Sequence, residues 1–507
     1  MAIRETTSVF YNRKTGKTTK NLIKYYFIPD PKHGAMKKVY ASIDGKLVLQ
    51  FFIDPSAIKS NNIVARMNSI LGSYNPCLSE EEGGADGNTA HLAEYYRRYF
   101  SWPVAITDDP EFGFGIICQS YPKRFLYPEN AFVHPAISKK YAGEPRDCSW
   151  YITQKTKMCL KETEQGDFRK ILSICLCLAR MTDRLHRAGL AHSDLSCKNI
   201  LIDLKHGDCL ITDVDGLVVP GLYMPEVNGT KGYIAPEVLE TSTLPFDKRK
   251  LPCVETDRHA MAVLFYELIF LRHPLLSGKK VLDFDDADND DFLKLGKEAL
   301  FIENPSDTSN RPDKTPEISI KALGPDIEQL FLRVFVNGLH TPAARPTAGA
   351  WALSLSRAMD LLYPCPNVNC SAGWFVLHDM SNPVCPFCKT KLSTQKILRM
   401  RIKRPTHNKL GYWQDKNDVI ILYAGAELLR KHFSQSISYT DSSGEDVCAE
   451  IKEDGGNLTL VNRRLSDLSL IDGSFIPEGK SIVLKPNMWF YSRSGDEGLL
   501  IEIEGRA

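Results

Sequence analysis

Residues 192–237 hold three polar clusters in fixed order: HSDLSCKN (192–199), TDVDG (212–216) and GTKGYIAPE (229–237). Alone, an H-x-D or a D-x-D-G is an ordinary turn. In this order, closed by Ala235-Pro236-Glu237, they form a constellation. Asp194 and Asn199 stand five residues apart on one loop, and Asp213 follows the strand-like run CLIT directly. Convergent polar groups on loops require a rigid scaffold beneath them, and the rest of the chain supplies one.

Strand patterns come first and helical patterns follow. Residues 20–55 alternate like strands, and KKVYASI and KLVLQFF flank Asp44-Gly45, a hairpin signal. AIKSNNIVARMNSILG (57–72) and HLAEYYRRYF (91–100) read as helices around the acidic, Gly-rich loop 79–89, before strands at SWPVAIT and FGFGIICQS. A long helical period over 167–188 opens on Asp167, a natural N-cap, and a further helical region runs from about 255 to 360. At 507 residues, two or three domains are expected. The 43% hydrophobic and 25% charged content is globular, and a net charge of +1 gives no field for nucleic acid or a membrane. HAMAVLFYELIFLRHPLL (259–276) contains Glu267 and Arg272, which favours a buried helix over a bilayer span. The polar N-terminus lacks a signal-peptide core, so the fourteen cysteines read as reduced, cytoplasmic thiols with a metal site among them.

The clusters fit phosphoryl transfer, which needs a base, oxygen ligands for magnesium and positive charge. Asp194 is the candidate base, Asn199 and Asp213 are candidate magnesium ligands, and Lys198 is a candidate charge stabiliser. Glu237 has a candidate partner in Arg345, and Asp257 could brace the catalytic loop backbone.

On these motifs the chain resembles the serine/threonine protein-kinase superfamily over roughly residues 20–360. The resemblance implies a two-lobed fold, ATP with Mg2+ (or Mn2+), and a protein hydroxyl as acceptor. It also implies that Thr230 positions Asp194, as in kinases acting on Ser and Thr. The departures are informative. Ser193 stands where most kinases have the Arg that pairs with a phosphorylated activation loop. Between Asp213 and Gly229 only Tyr223 carries a hydroxyl. Both point to a core not gated by Ser/Thr phosphorylation of that loop. Ser196 replaces the usual catalytic-loop Lys, and Asp215 takes the glycine position of Asp-Phe-Gly. Gly34 is the lone glycine of the phosphate loop, and Gln50 occupies the position of the strand lysine. Lys38, or its neighbour Lys37, is expected to reach the phosphates instead. Glu94 is the candidate acidic partner, and Ile117 and Cys118 belong to the expected adenine hinge at 116–120.

Cys365-x4-Cys370 and Cys385-x2-Cys388 pair as two knuckles suited to tetrahedral structural zinc. The strands after residue 415 resemble a forkhead-associated (FHA) sandwich, although Cys448 falls where such domains have a His. The acidic run VLDFDDADNDDF (281–292) lacks the Gly and Glu of a calcium loop and reads as a solvated insertion, with docking of a basic substrate as its alternative.

The expected architecture is α+β: kinase N-lobe at 1–120, C-lobe at 121–361, four-cysteine zinc ribbon at 362–392, linker at 393–414 and FHA-like β-sandwich at 415–507. The expected activity is ATP- and Mg-dependent transfer of the γ-phosphoryl group to protein hydroxyls. A pseudokinase scaffold, binding nucleotide or partners through ribbon and sandwich, is the alternative. The order kinase, ribbon, sandwich is similar to bacterial kinases of tellurite-resistance-type systems. That resemblance implies a von Willebrand A-type protein and a metal-dependent phosphatase as partners.

Overall fold

The computed structural model describes residues 2–505 other than 13, 30–36, 54–62, 85, 220–221, 223–228, 315–317, 382, 394–396, 407–411, 436, 439–441 and 493–497. Gly34 and Tyr223 therefore lie outside the described residues. The chain forms two compact units, one of residues 1–166, 181–313 and 333–346 and one of residues 167–180, 314–332 and 347–507.

In the first unit, β1 (Ala2–Asn12) and β2 (Lys17–Phe27) pair along their whole length. β3 (Lys37–Ala41) and β4 (Leu47–Phe52) form the hairpin expected at Asp44-Gly45, where Gly45 takes φ +69° and the Asp44 carboxylate accepts from the Lys46 amide at 3.0 Å. With β5 (Pro103–Asp109) and β6 (Gly113–Gln119) they make a six-stranded sheet in the order β2-β1-β5-β6-β4-β3. Tyr25 of β2 bridges back to Ser42 beyond β3, so the two edges of the sheet meet. The face they enclose buries Tyr25, Tyr40, Leu49, Phe51, Ala105 and Ile117.

Short helices α1 (Ile63–Leu71) and α2 (Ala90–Tyr96) lie between β4 and β5, and α3 (Pro135–Tyr141) follows β6. The long helix α4 (Phe168–Arg187) begins where the Asp167 carboxylate accepts from the Lys170 amide at 2.8 Å. It is followed by the two-stranded ribbon β7 (Ile200–Asp203) and β8 (Asp208–Ile211) and by α5 (Pro236–Thr241). In α6 (Val254–Phe270) every residue from His259 to Phe270 is buried, so the apolar run is an interior helix. No helix among the described residues is long and apolar enough to cross a membrane. The acidic run leads into α7 (Ala287–Leu295).

The second unit contains α8 (Pro325–Leu332), α9 (Ala348–Asp360), the cysteine segment with β9 (Leu362–Pro364) and β10 (Trp374–Val376), and two sheets. The five-stranded sheet, order β12-β11-β19-β18-β16, uses β11 (Leu398–Pro405), β12 (Trp413–Leu422), β16 (Leu468–Leu470), β18 (Trp489–Ser492) and β19 (Leu499–Glu504). The four-stranded sheet, order β13-β14-β15-β17, uses β13 (Glu427–Leu429), β14 (Val447–Asp454), β15 (Asn457–Asn462) and β17 (Ser481–Val483). One hydrophobic cluster joins them, with Met400, Ile402 and Ile501 from one sheet and Leu428, Ile451 and Leu460 from the other. Here the expected linker 393–414 is corrected: β11 lies within it and pairs with both β12 and β19. Met400 and Ile402 face the core, while Arg399, Arg401 and Lys403 alternate with them and pair with Glu504 and Glu502 of β19.

Candidate active site

The β7–β8 ribbon and its flanking loops assemble the site. Asp257, 1% exposed in the first turn of α6, accepts hydrogen bonds from the His192 amide (2.6 Å), the Ser193 amide (3.0 Å) and His186 Nε2 (3.1 Å). A buried carboxylate needs such donors, and they fix the loop ahead of Asp194. Ser193 takes φ +70° there, a strained value for a residue with a Cβ. His192 Nε2 lies 2.9 Å from the Thr212 carbonyl, which ties the 192–199 loop to the end of β8.

Around this loop the expected groups fall into place as follows. Thr230 Oγ1 donates to Asp194 Oδ1 at 2.7 Å. The Asn199 amide nitrogen donates to the Asp194 carbonyl (2.8 Å) and to Asp194 Oδ2 (3.0 Å). That engagement leaves the Asn199 carbonyl oxygen as the end suited to a cation. Asp213 takes the left-handed conformation, φ +58°, and Lys37 Nζ stands 3.0 Å from its Oδ1. Ser196 is fully buried.

A pocket of about 610 Å3 opens beside these groups, lined by Gln50, Cys118, Tyr121, Lys140, Tyr141, Asp147, Lys198, Asn199, Leu201, Thr212 and Asp213 among others. Asp147, which sequence reasoning missed, caps a short helical turn by accepting from the Ser149 amide at 3.0 Å. Burial pushes its carboxyl above the usual range, against the hydrogen bonds to Ser149 and the nearby Lys198 charge. Its signal in the sequence is weak, because it sits in an irregular segment far from the three clusters.

Two expected cofactor-site residues and the expected acidic partner need correction. Lys38 is on the wrong face of β3: its Nζ lies 6.0 Å from the Phe112 ring, beside the aromatic core. Lys37, one residue earlier, is on the face with Gln50, since Val39 pairs with Gln50 and side chains alternate along a strand. Ile117 is fully buried in the same core, and its backbone is engaged between Leu49 and Ala105, so of the two hinge residues only Cys118 lines the pocket. Gln50 lines it too but brings no charge. Glu94 is largely exposed and pairs with Arg97 at 3.5 Å on the solvent side.

Beyond Thr230 the chain is pinned at several points. Arg345, 2% exposed, binds the Glu237 carboxylate at 2.7 and 2.8 Å, and also the carbonyls of Gly338, Leu339 and Glu255. Tyr233 OH donates to Glu267 of α6. Burial drives the Glu267 carboxyl up to about 7, a shift only partly opposed by that hydrogen bond.

In the second unit, the sulfurs of Cys365, Cys370, Cys385 and Cys388 all lie within 4.8 Å of one another. Cys365–Cys388 is 3.4 Å and Cys370–Cys385 is 4.0 Å. Tetrahedral Zn–S bonds of about 2.3 Å place sulfurs about 3.8 Å apart, so the donor set fits structural zinc.

The family described as protein kinase domain matches residues 151–330. The human anti-Muellerian hormone type-2 receptor is 30% identical over 143 residues, covering 24% of this chain and 23% of that protein. The Caenorhabditis elegans serine/threonine-protein kinase mrck-1 is 28% identical over 127 residues, covering 21% of this chain and 8% of that protein. The rat anti-Muellerian hormone type-2 receptor is 27% identical over 168 residues, 28% of this chain and 25% of that protein. The chain thus spans a quarter or less of the length of these curated relatives. Residues 151–330 carry a protein kinase domain with distant serine/threonine kinase homologues.

Proposed function

We propose that the protein is an ATP- and Mg-dependent serine/threonine protein kinase, with residues 1–120 as N-lobe and 121–361 as C-lobe. The observation that carries this reading is the convergence of Lys198, Asn199 and Asp213 on one pocket, with Lys37 against Asp213, beside a loop in which Thr230 and Asn199 hold Asp194.

Asp194 accepts the proton of the acceptor hydroxyl or orients it, and its two neighbours fix both carboxylate oxygens for that task. Asp213 and the carbonyl oxygen of Asn199 would hold magnesium, which offsets phosphate charge when bound. Lys37 contacts the nucleotide phosphates from β3, the role that Gln50 cannot fill without a charge. Lys198 offsets charge developing on the transferred group. Ser193 in place of Arg supports a core that works without Ser/Thr phosphorylation of its activation loop. The four cysteines hold a structural zinc, and the two C-terminal sheets form an FHA-like sandwich. That tail binds protein partners, for which the family-level resemblance points to a von Willebrand A-type protein and a metal-dependent phosphatase.

Calorimetric titration with ATP tests the assignment of the pocket. Binding should require a divalent cation and should be lost in Asp213→Asn. Binding indifferent to metal and to that substitution would favour the pseudokinase scaffold.

A further inference from the structure

The loop that follows the activation segment is anchored at four successive residues, each to a different place. Thr230 binds Asp194, Lys231 binds α7, the Gly232 carbonyl meets His273, and Tyr233 binds Glu267 of α6. We propose that His273 is a positioning residue for this loop, and that the acidic run 281–292 exists to complete the clamp through Lys231. The inference rests on the kinase reading, in which the loop supports the acceptor substrate.

His273 lies just past α6, in the turn where Leu271 takes φ +56°. Its Nδ1 accepts from the amides of Leu275 and Leu276, both at 3.1 Å. Two donors on Nδ1 fix the tautomer, so the proton is on Nε2, which donates to the Gly232 carbonyl at 2.9 Å. Gly232 has φ +95°, a conformation open to glycine and strained for other residues. The carbonyl at 232 is thus aimed by a glycine and met by an imidazole whose own orientation is set on the other side. Burial holds the imidazole pKa down at about 4, so the neutral form persists at physiological pH.

Five of the six aspartates in the acidic run separate into two groups by what their carboxylates do. Asp283 accepts from the amides of Asp285 and Asp286 and from Asn289. Asp286 caps α7, and Asp290 accepts from the amides of Leu282 and Asp283 and pairs with Lys294. These three fold the insertion. Asp288 and Asp291 reach Lys231 Nζ at 2.9 and 3.1 Å. The run is therefore neither a calcium loop nor purely solvated: it builds a short capped helix and presents two carboxylates to the loop. Exposed ion pairs are weak and screened by salt, so His273 bears the main load and the Lys231 pair is the salt-sensitive part. A loop held this way needs no phosphate to order it.

The test uses the full chain with His273→Asn and His273→Gln. The Asn side chain can keep an acceptor near the Leu275 and Leu276 amides but cannot reach Gly232. The longer Gln side chain can donate to Gly232. Deuterium exchange of residues 229–235 should rise about tenfold in His273→Asn and return most of the way in His273→Gln. With histone as acceptor, KM for histone should rise about fivefold in His273→Asn while KM for ATP stays within about twofold. The double variant Asp288→Asn/Asp291→Asn should raise exchange about twofold to threefold at low salt, and the difference should vanish at high salt. Unchanged exchange in a folded His273→Asn, or equal damage from Asn and Gln, would overturn the proposal. If His273→Asn does not fold, Lys231→Met, which alters an exposed side chain, must still raise exchange at 230–232, or the proposal fails. Exchange needs no turnover. A wild type that transfers no phosphate would therefore count against the kinase reading, while the exchange result still decides the clamp.

Discussion

Lys37 Nζ stands 3.0 Å from Asp213 Oδ1, and the residue next to it, Lys38, points to the opposite side of the same strand. The relationship puts the cation against Asp213 on β3, one hairpin strand before the position where Gln50 stands. Lys37→Met should raise KM for ATP about tenfold to a hundredfold, the loss expected for a charge-assisted contact. Lys38→Met should stay close to wild type. Steady-state kinetics across ATP concentrations measures both, and the reverse order of effects would refute the assignment.

The buried Arg345 guanidinium holds five contacts, two of them to Glu237. Arg345→Met removes one partner of a buried pair and should destabilise the first unit by about 3–5 kcal/mol. Arg345→Lys should recover little, since an ammonium cannot reproduce the bidentate fork. Urea unfolding followed by tryptophan fluorescence reads the difference.

Glu267 and His273 give opposing pH dependences. The Glu267 carboxyl is raised from 4.5 to about 7, so the folded state keeps a proton that the unfolded state has released. Its contribution to stability is present below pH 4.5 and is lost as pH rises through 7. His273 is lowered from 6.5 to about 4, so its contribution is present above pH 6.5 and is lost as pH falls through 4. The two slopes oppose each other between pH 4.5 and 6.5. Glu267→Gln removes the first, so the variant should gain stability relative to wild type as pH rises from 4.5 to 7, by about 2–3 kcal/mol in all. Thermal melts across that range test it. A constant difference between the two proteins would contradict the role of Glu267.

The four-sulfur site should hold about one zinc per chain, with no open coordination position. Cys385 is fully buried, and Cys385→Ser should lose the metal and lower the melting temperature of the second unit. Metal analysis of freshly reduced protein checks the stoichiometry, and protein that is metal-free yet equally stable would rule the site out.

What could be read from the sequence depended on how the chemistry is encoded. Asp194, Asn199 and Asp213 stand on loops, and their residue types and spacing make them legible as candidates. The candidate phosphate-site lysine is harder to place from sequence, because adjacent strand residues face opposite sides and one position decides between the Asp213 side and the aromatic core. The difference at Ile117 has the same cause: it and Cys118 are neighbours on β6, and one is core while the other lines the pocket. β11 was hidden by its charge. Its period of two is present in LRMRIKR, but basic residues on the outer face give it the composition of a linker, and the acids that pair with them lie far along the chain on β19. The acidic run posed the converse problem. Its composition resembled solvated surface, and only the fold shows which carboxylates turn inward to amides and which reach Lys231.

Phosphoryl transfer that depends on Asp194 and Asp213 is the central expectation. Purified protein with labelled ATP and magnesium should transfer label to histone or to itself, and Asp194→Asn and Asp213→Asn should each lower the rate by about a hundredfold to ten-thousandfold. Variants that transfer label as fast as wild type would contradict it, as would a wild type that binds ATP with magnesium and transfers none.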